Sequence, residues 1–425
     1  MIIRLLTLFP LLVFMGCTAS RQIPQKQQRP PALHQEISPS LAAPSSEIRS
    51  IQLYRTGQET NLPIITLQSN ESLTLEFDLM SAVGRPLSVY FYHTDRFWNP
   101  DLAPTEFTQG FNRDDLIFFD AALQVALPYT HYTYRFPNER IQFLTSGNYI
   151  LRVTEQGRED AVLFERVFFI SENNAQMQLS LHPLLLGNTQ GFSIQPSVAI
   201  IPPTAIQQNI FDFYVCFAQD GQLTRMRCPK TQPTITPPTL QFSLLPSSAF
   251  APSPGLRLLD LSTLRPGKQI LSIDFKQLPY QVILSPDPAG GGANLDGIRL
   301  NGQPVISAAV TEVTDPDITA EYVQTTFRFI PPEEKPLADP VLLLSSLNGW
   351  SFSNETRLLW NPEKGFYEGT LLIKQGLYEY RYFAPNLSRR LRSFPSGPHL
   401  YSAFLYYYDP SRNTDRLLSV EHAIY

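Results

Sequence analysis

His93-Thr94-Asp95 is the closest approach to a reactive pair in this sequence. A strand leaving here would put an imidazole and a carboxylate on the same side, which suits base catalysis or metal binding and equally suits a structural fastening at a strand end. Asp114-Asp115 follows Asn112 in a turn, where short polar side chains close the chain and cap backbone amides. The glycine run from Ala289 to Gly297, with Asp287 and Asp296, suggests a phosphate cradle or a calcium loop. No Gly-Lys-Ser/Thr follows it and its acidic residues lack calcium-loop periodicity, so a flexible loop is the simpler reading. The histidines at 34, 93, 131, 182, 399 and 422 include no two at the spacing of one metal site. No Gly-x-Ser-x-Gly, His-Glu-x-x-His or Cys-x-x-Cys occurs. The expectation is a protein that is not an enzyme, with no catalytic, cofactor-binding or metal residues.

The cysteines carry a different chemistry. Arg4, the apolar run Leu5 to Met15 and then Gly16-Cys17 read as an export signal over 1–16, too short for a permanent membrane span. With Cys17 at the new N-terminus, this is the arrangement of a bacterial lipoprotein, whose acyl chains each add about 0.8 kcal/mol per buried methylene. Phe14 and Met15 depart from the usual lipobox, and an ordinary cleavage near Ala19 or Ser20 is the other reading. Cys216 and Cys228 flank a strand-turn-strand pattern centred near Gln222, beside Asp220-Gly221. A cross-strand disulfide is geometrically reasonable there; two free buried thiols are the alternative.

The elements that must position these residues are strands. Of 425 residues, 43% are hydrophobic and only 17% charged, with 38 Pro, 28 Phe, 19 Tyr and 3 Trp. Prolines at turns and edges, with aromatics inside, favour short strands over helices. The net charge of −5 and the absence of a long Lys/Arg block make nucleic acid an unsuitable partner. Residues 17–47, rich in Gln, Pro and Ser, read as a flexible tether with a reach of roughly 25–30 Å. From Ile48 onward the apolar period is two. Seven runs between 48 and 172 indicate an immunoglobulin-like sandwich, with Trp98–Phe118 as a surface loop. Residues 173–332 read as a second β-domain with long loops, and 333–425 as a third, smaller sandwich after a Pro-rich hinge. The expected fold class is all-β, with tandem immunoglobulin-like β-sandwiches.

Two resemblances emerge. Leu347-Asn348-Gly349-Trp350, Gly365 to Gly369 and Gly376 to Tyr380 look like sandwich modules that bind glycogen and starch, although the same spacing builds the sandwich itself with Trp350 in its core. That look implies a carbohydrate-binding outer-membrane lipoprotein, and it requires exposed coplanar aromatics around Trp350, Trp360 and Tyr382. The wider series is more specific. His93-x-Asp95-x-x-Trp98, Gly110-Phe111-Asn112, Pro128 to Tyr132, Phe136-Pro137-Asn138-Glu139 and Ser146-Gly147-Asn148-Tyr149 occur in order, followed by Leu284 to Asp287, Ala320 to Val323, Leu347 to Trp350 and Asp415-Arg416-Leu417. This series resembles the plug proteins of the type IX secretion system over nearly all of residues 48–420.

The resemblance implies a non-enzymatic subunit at the periplasmic face of the outer membrane. It would bind the giant translocon β-barrel and block its pore when no substrate passes, without a small-molecule substrate or cofactor. Lipid anchoring through Cys17, or a soluble periplasmic form, would serve this role. The chain departs from the family pattern at Thr94, where a Cys is usual, and at Gly255-Leu256-Arg257, the remnant of a longer motif. Cys216 and Cys228 look particular to this sequence.

Overall fold

Leu73-Thr74-Leu75-Glu76-Phe77-Asp78-Leu79 alternates apolar and polar residues, the pattern of a strand with one face in a core. In the computed structural model, which describes residues 34–185, 192–251, 256–289, 298–309, 315–385, 387 and 398–425, this segment is a central strand. Ile48–Arg55 pairs on one side of it and Thr130–Phe136 on the other, with Phe119–Ala121 at the edge. The facing sheet runs Ile64–Thr66, Val162–Ser171, Gly147–Glu155, Leu87–Thr94, Arg113–Leu116. Between them lies an aromatic core in which Phe77 stacks on Tyr132 at 4.9 Å and Phe91, Phe136, Tyr149 and Phe168 meet mostly edge to face. Trp98–Phe118, expected as a surface loop, carries a four-residue helix, Pro104–Phe107, and the strands Thr108–Gly110 and Arg113–Leu116. Buried Phe107 and Leu116 anchor it to the core.

The all-β expectation holds, in three sandwiches. In the second, a sheet of Gln176–Leu184, Ser193–Ile201, Thr239–Ser243 and Thr234–Thr236 shares a core with another ordered His34–Ile37, Met226–Pro229, Phe213–Gln219, Leu400–Asp409, Thr414–Ile424. The third folds a ten-stranded sheet around its own core: eight strands run from Arg257–Asp260 through Gly376–Phe383, Val341–Ser345, Arg357–Asn361, Phe366–Lys374, Tyr322–Ile330 and Gln281–Leu284 to Ile270–Asp274, with Asp287–Pro288 beside Tyr322–Ile330 and Val305–Ile306 beside Gly376–Phe383.

The pairings differ from a sequential division at 172 and 332. The last strands of the chain return to the second sandwich, where Leu400–Asp409 pairs with Phe213–Gln219; the strands from Arg257–Asp260 to Gly376–Phe383 belong to the third. The reason is non-local. Tyr401, Ala403, Leu405 and Tyr407 point into the same core as Phe213, Val215 and Phe217, a match that strand spacing along the chain does not reveal. The expected tether 17–47 also changes. His34–Ile37 is a strand on Met226–Pro229, Ile37 is buried, the Ala42 amide donates to Glu165, and the Ser45 amide donates to the Leu163 carbonyl. Residues 17–33, with Cys17, the 1–16 signal, and also Gly255 and Asp296, lie outside the described residues.

Cys216 and Cys228 are bonded across neighbouring strands, with Cα atoms 4.2 Å apart. The turn between the strands starts at Asp220-Gly221, both at positive φ. A crosslink closing a loop of this size removes about 2–3 kcal/mol of unfolded-chain freedom. The Cys216→Ala/Cys228→Ala chain is therefore expected to lose about that much stability in denaturant titration at unchanged circular dichroism, as is the wild type under reducing conditions.

Candidate functional site

The polar residues with unusual environments gather at three joints between the sandwiches. The first lies where Leu87–Thr94 ends. His93 is buried, with Nδ1 2.6 Å from Asp101 Oδ1 and Nε2 3.1 Å from the Ser146 carbonyl. Its partner is thus Asp101, and Asp95 instead accepts the backbone amides of Phe97 and Asn99 at 2.8 Å, closing a turn. Gly147 is needed because a Cβ there would sit 2.4 Å from His93 Nε2. Trp98, at positive φ, packs edge-on against Phe169 in a core shared with the second sandwich.

Asp415, on a strand of the second sandwich, crosses this joint. It accepts both the Arg96 amide and guanidinium, while that guanidinium lies 3.7 Å from the centre of the Tyr214 ring. Thr414 donates to Asp101, Tyr406 donates to Asn148, and Arg416 holds Glu172 through two bonds of 2.7 Å. The motif segments around His93–Trp98, Ser146–Tyr149 and Asp415–Leu417 meet here.

The second joint covers the polar face of Leu73–Leu79. All seven residues of that strand are buried, so Thr74, Glu76 and Asp78 meet protein where water would be expected. Asp78 has no exposed surface. Its Oδ1 is 2.8 Å from His131 Nδ1, and its Oδ2 accepts from Tyr322 at 2.6 Å and from Lys374 Nζ at 2.7 Å. Lys374, equally buried, also donates to the Asp317 carbonyl and sits 4.3 Å from the Tyr129 ring centre. Tyr129 donates to the carbonyls of Asp317 and Ala320. Beside this node Tyr54 donates to Glu76 Oε2 at 2.9 Å.

Burial, reinforced by the nearby Asp317 charge, pushes the Glu76 carboxyl up to about 7 against the opposing pull of Tyr54 and His131. Burial likewise raises Asp317, with His131 and Lys374 opposing. At His131, burial would lower the imidazole, but the hydrogen bond and charge of Asp78 outweigh it and the net direction is upward. Glu76, His131 and Asp317 each bring a ligand-type atom to within 4.8 Å of the others. Histidine spacing did not reveal this group, since only one histidine is involved and Asp317 comes from another sandwich. The one available signal was a strand carrying two carboxylates on its polar face.

The third joint centres on Asp220, which takes His399 Nδ1 at 2.9 Å and the Leu400 amide, with Arg381 Nη1 at 3.8 Å. Trp350 is 4% exposed and donates through Nε1 to the Gly302 carbonyl. A Cβ on Gly302 would lie 2.5 Å from the Asp220 carbonyl, so the backbones are in direct contact. Tyr382 is also buried, stacked on Phe329 and bonded with Tyr380 to Asp287. With Trp350 and Tyr382 buried and Trp360 half-buried against Tyr367, the exposed coplanar aromatics of a sugar platform are not formed.

The remaining motif residues divide sharply. Asn138 closes its own turn after Pro137, accepting the Arg140 and Ile141 amides, and Asn112 donates to the Phe91 carbonyl. Asp114 accepts from Tyr134 and Arg140; Asp115 is lowered because hydrogen bonds from Ser88 and Arg113 outweigh the burial that would raise it. Gly110, at positive φ, opens the turn that presents Phe111, which is 80% exposed. Phe118, past the other end of Arg113–Leu116, is 82% exposed.

Residues 48–172 match the family model described as the type 9 secretion system plug protein first domain. A crystal structure of a hypothetical protein from Parabacteroides merdae superposes with a TM-score of 0.78 at 23% identity, covering 92% of this chain and all of the other, which shows a shared fold. No curated protein matches the chain.

The buried Asp78 node gives a direct test. Lys374→Met leaves a carboxylate with no solvent and no cation, and a loss of about 3–5 kcal/mol is expected in denaturant titration. The pair Asp78→Asn/Lys374→Met should recover a substantial part of that loss, because the uncompensated charge is gone; a double variant as unstable as the sum of the two singles would contradict the assigned coupling.

Proposed function

We propose, from the premise that this chain belongs to the type IX secretion system plug family through its first domain, that it is a subunit that stops the periplasmic mouth of the translocon barrel. The family is a component of protein secretion. The observation that carries it is the set of three buried polar joints. Together they tie three sandwiches pairwise, which favours one stiff body over a string of modules. A stopper for a wide pore needs that stiffness, and a surface that binds and lets go.

Phe111 and Phe118 supply such a surface. They flank a four-residue strand, expose most of their rings and are not consumed by any joint. Each ring gains roughly 1.5–3 kcal/mol when covered, enough for a reversible contact with a barrel rim. The Cys17 lipid and the segment after it would hold the body at the inner leaflet of the outer membrane and raise its effective concentration near the pore.

Phe111→Glu/Phe118→Glu is expected to keep the wild-type melting temperature while reducing capture of the large β-barrel from solubilised outer membranes at least tenfold. In a deletion strain it should also fail to restore impermeability to large solutes. Full capture and full restoration by this variant would remove the two rings from the contact; a wild-type chain that captures no such barrel would refute the plug reading itself. Separately, Cys17→Ala is expected to move the chain from the membrane fraction to the soluble periplasmic fraction, with unchanged folding.

A further inference from the structure

The second joint holds a group of side chains that neither the folding of the strands nor the plugging role explains. We propose that Glu76, His131 and Asp317 form a binding site for one divalent transition-metal ion of the zinc type, which clamps the first sandwich to the third. Glu76 and His131 sit on neighbouring strands, Leu73–Leu79 and Thr130–Phe136, and share the face turned away from the first core. Asp317 comes from the third sandwich, on the four-residue helix Pro316–Thr319. Ligand-type atoms from the three lie within 4.8 Å of one another.

His131 is the most telling member. It is 5% exposed, and its Nδ1 is committed to Asp78, so Nε2 is the nitrogen left over; this atom is buried and has no hydrogen-bond partner among the described residues. A carboxylate that holds Nδ1–H and turns the Nε2 lone pair inward is the usual support behind a metal-bound histidine. The other two ligands are similarly prepared. Tyr54 engages Glu76 through Oε2, leaving Oε1 available. The Asp317 carbonyl is held by Tyr129 and Lys374, which pins the turn, while its carboxylate has no hydrogen bond among the described residues.

Charge points the same way. Lys374 lies against Asp78, which also engages His131 and Tyr322, so among the described residues neither Glu76 nor Asp317 forms an ion pair, and Glu59 adds to the negative charge. One imidazole and two carboxylates are a donor set for Zn²⁺, with water in the fourth position; Ca²⁺ prefers oxygen alone. Ligands about 2.0–2.1 Å from a tetrahedral ion stand roughly 3.4 Å apart, so atoms already within 4.8 Å of one another need to draw together by no more than about 1.4 Å. A cleft of about 410 Å³ lined by Tyr54, Glu59, Thr74 and Arg135 opens beside Tyr54, the residue that donates to Glu76.

The test uses the mature, tag-free chain, stripped with EDTA and then dialysed against Zn²⁺, with bound metal counted by mass spectrometry and the melting temperature followed in parallel. The expected result is close to one zinc per chain and a rise of about 3–5 °C at saturating metal. Asp317→Asn and Glu76→Gln should each retain less than a tenth of the metal and lose the rise, while Phe111→Glu, at an exposed ring outside every joint, keeps both. Asp317→Asn lies on a half-buried segment whose backbone contacts to Tyr129 and Lys374 survive, so it remains informative if Glu76→Gln folds poorly. Substoichiometric zinc, an equal thermal shift in Asp317→Asn, or an equal shift with Ca²⁺ would each overturn the site.

Discussion

Asp78 sets the constraint on which the rest of the molecule depends. Its strand alternates apolar and polar residues, so a sheet built on it has one face for a core and one face that would ordinarily meet water. Here the second face is sealed, and a carboxylate without solvent is tolerable only if fixed donors replace the water. Lys374, Tyr322 and His131 do so. Two of these belong to the third sandwich, which therefore cannot move away without stranding the charge.

The other joints follow the same physical pattern. Asp415 receives Arg96 across the first joint, and Asp220 gathers His399 and faces Arg381 across the third. Apolar contact alone would hold the sandwiches together while leaving their angles loosely specified. Directional bonds to buried carboxylates add an orientation, because each donor must return to one place. Buried ion pairs are weak sources of net stability, and their better-supported contribution is to select one arrangement among several. For three sandwiches joined pairwise, such selection at each joint means that a hinge at one is resisted by the other two.

Much of the first sandwich was legible in the sequence because its information is local: period-two runs, turn residues between them, and aromatics where the core lies. The Cys216 to Cys228 hairpin was legible for the same reason, its centre falling on a turn sequence. What could not be read was which distant edges would meet. Leu400–Asp409 beside Phe213–Gln219, and His34–Ile37 beside Met226–Pro229, depend on shape matches between segments far apart. The same limit hid the joints. Glu76 and Asp78 lie on the face that strand alternation assigns to water, and nothing in their neighbourhood announces Lys374 or Asp317. The family-like motifs were visible as words, yet their meaning is spatial: Tyr129 to His131 and Ala320 to Tyr322 are two sides of one contact.

This distribution of motif residues also sharpens where a partner would bind. His93, Asp95, Trp98, Asn138, Gly147 and Trp350 are each occupied by a turn, a core or a joint within the chain, so their recurrence in one order requires no external contact. Phe111 is the exception, with most of its ring exposed and its backbone held by flanking polar contacts. A large aromatic kept outside a protein whose interior already accommodates so many is difficult to ascribe to folding. On the proposed reading, a stiff body with a small exposed apolar contact gives the balance a stopper needs. Stiffness keeps the pore closed once docked, and the modest area, assisted by a local tether rather than by a larger interface, keeps undocking fast.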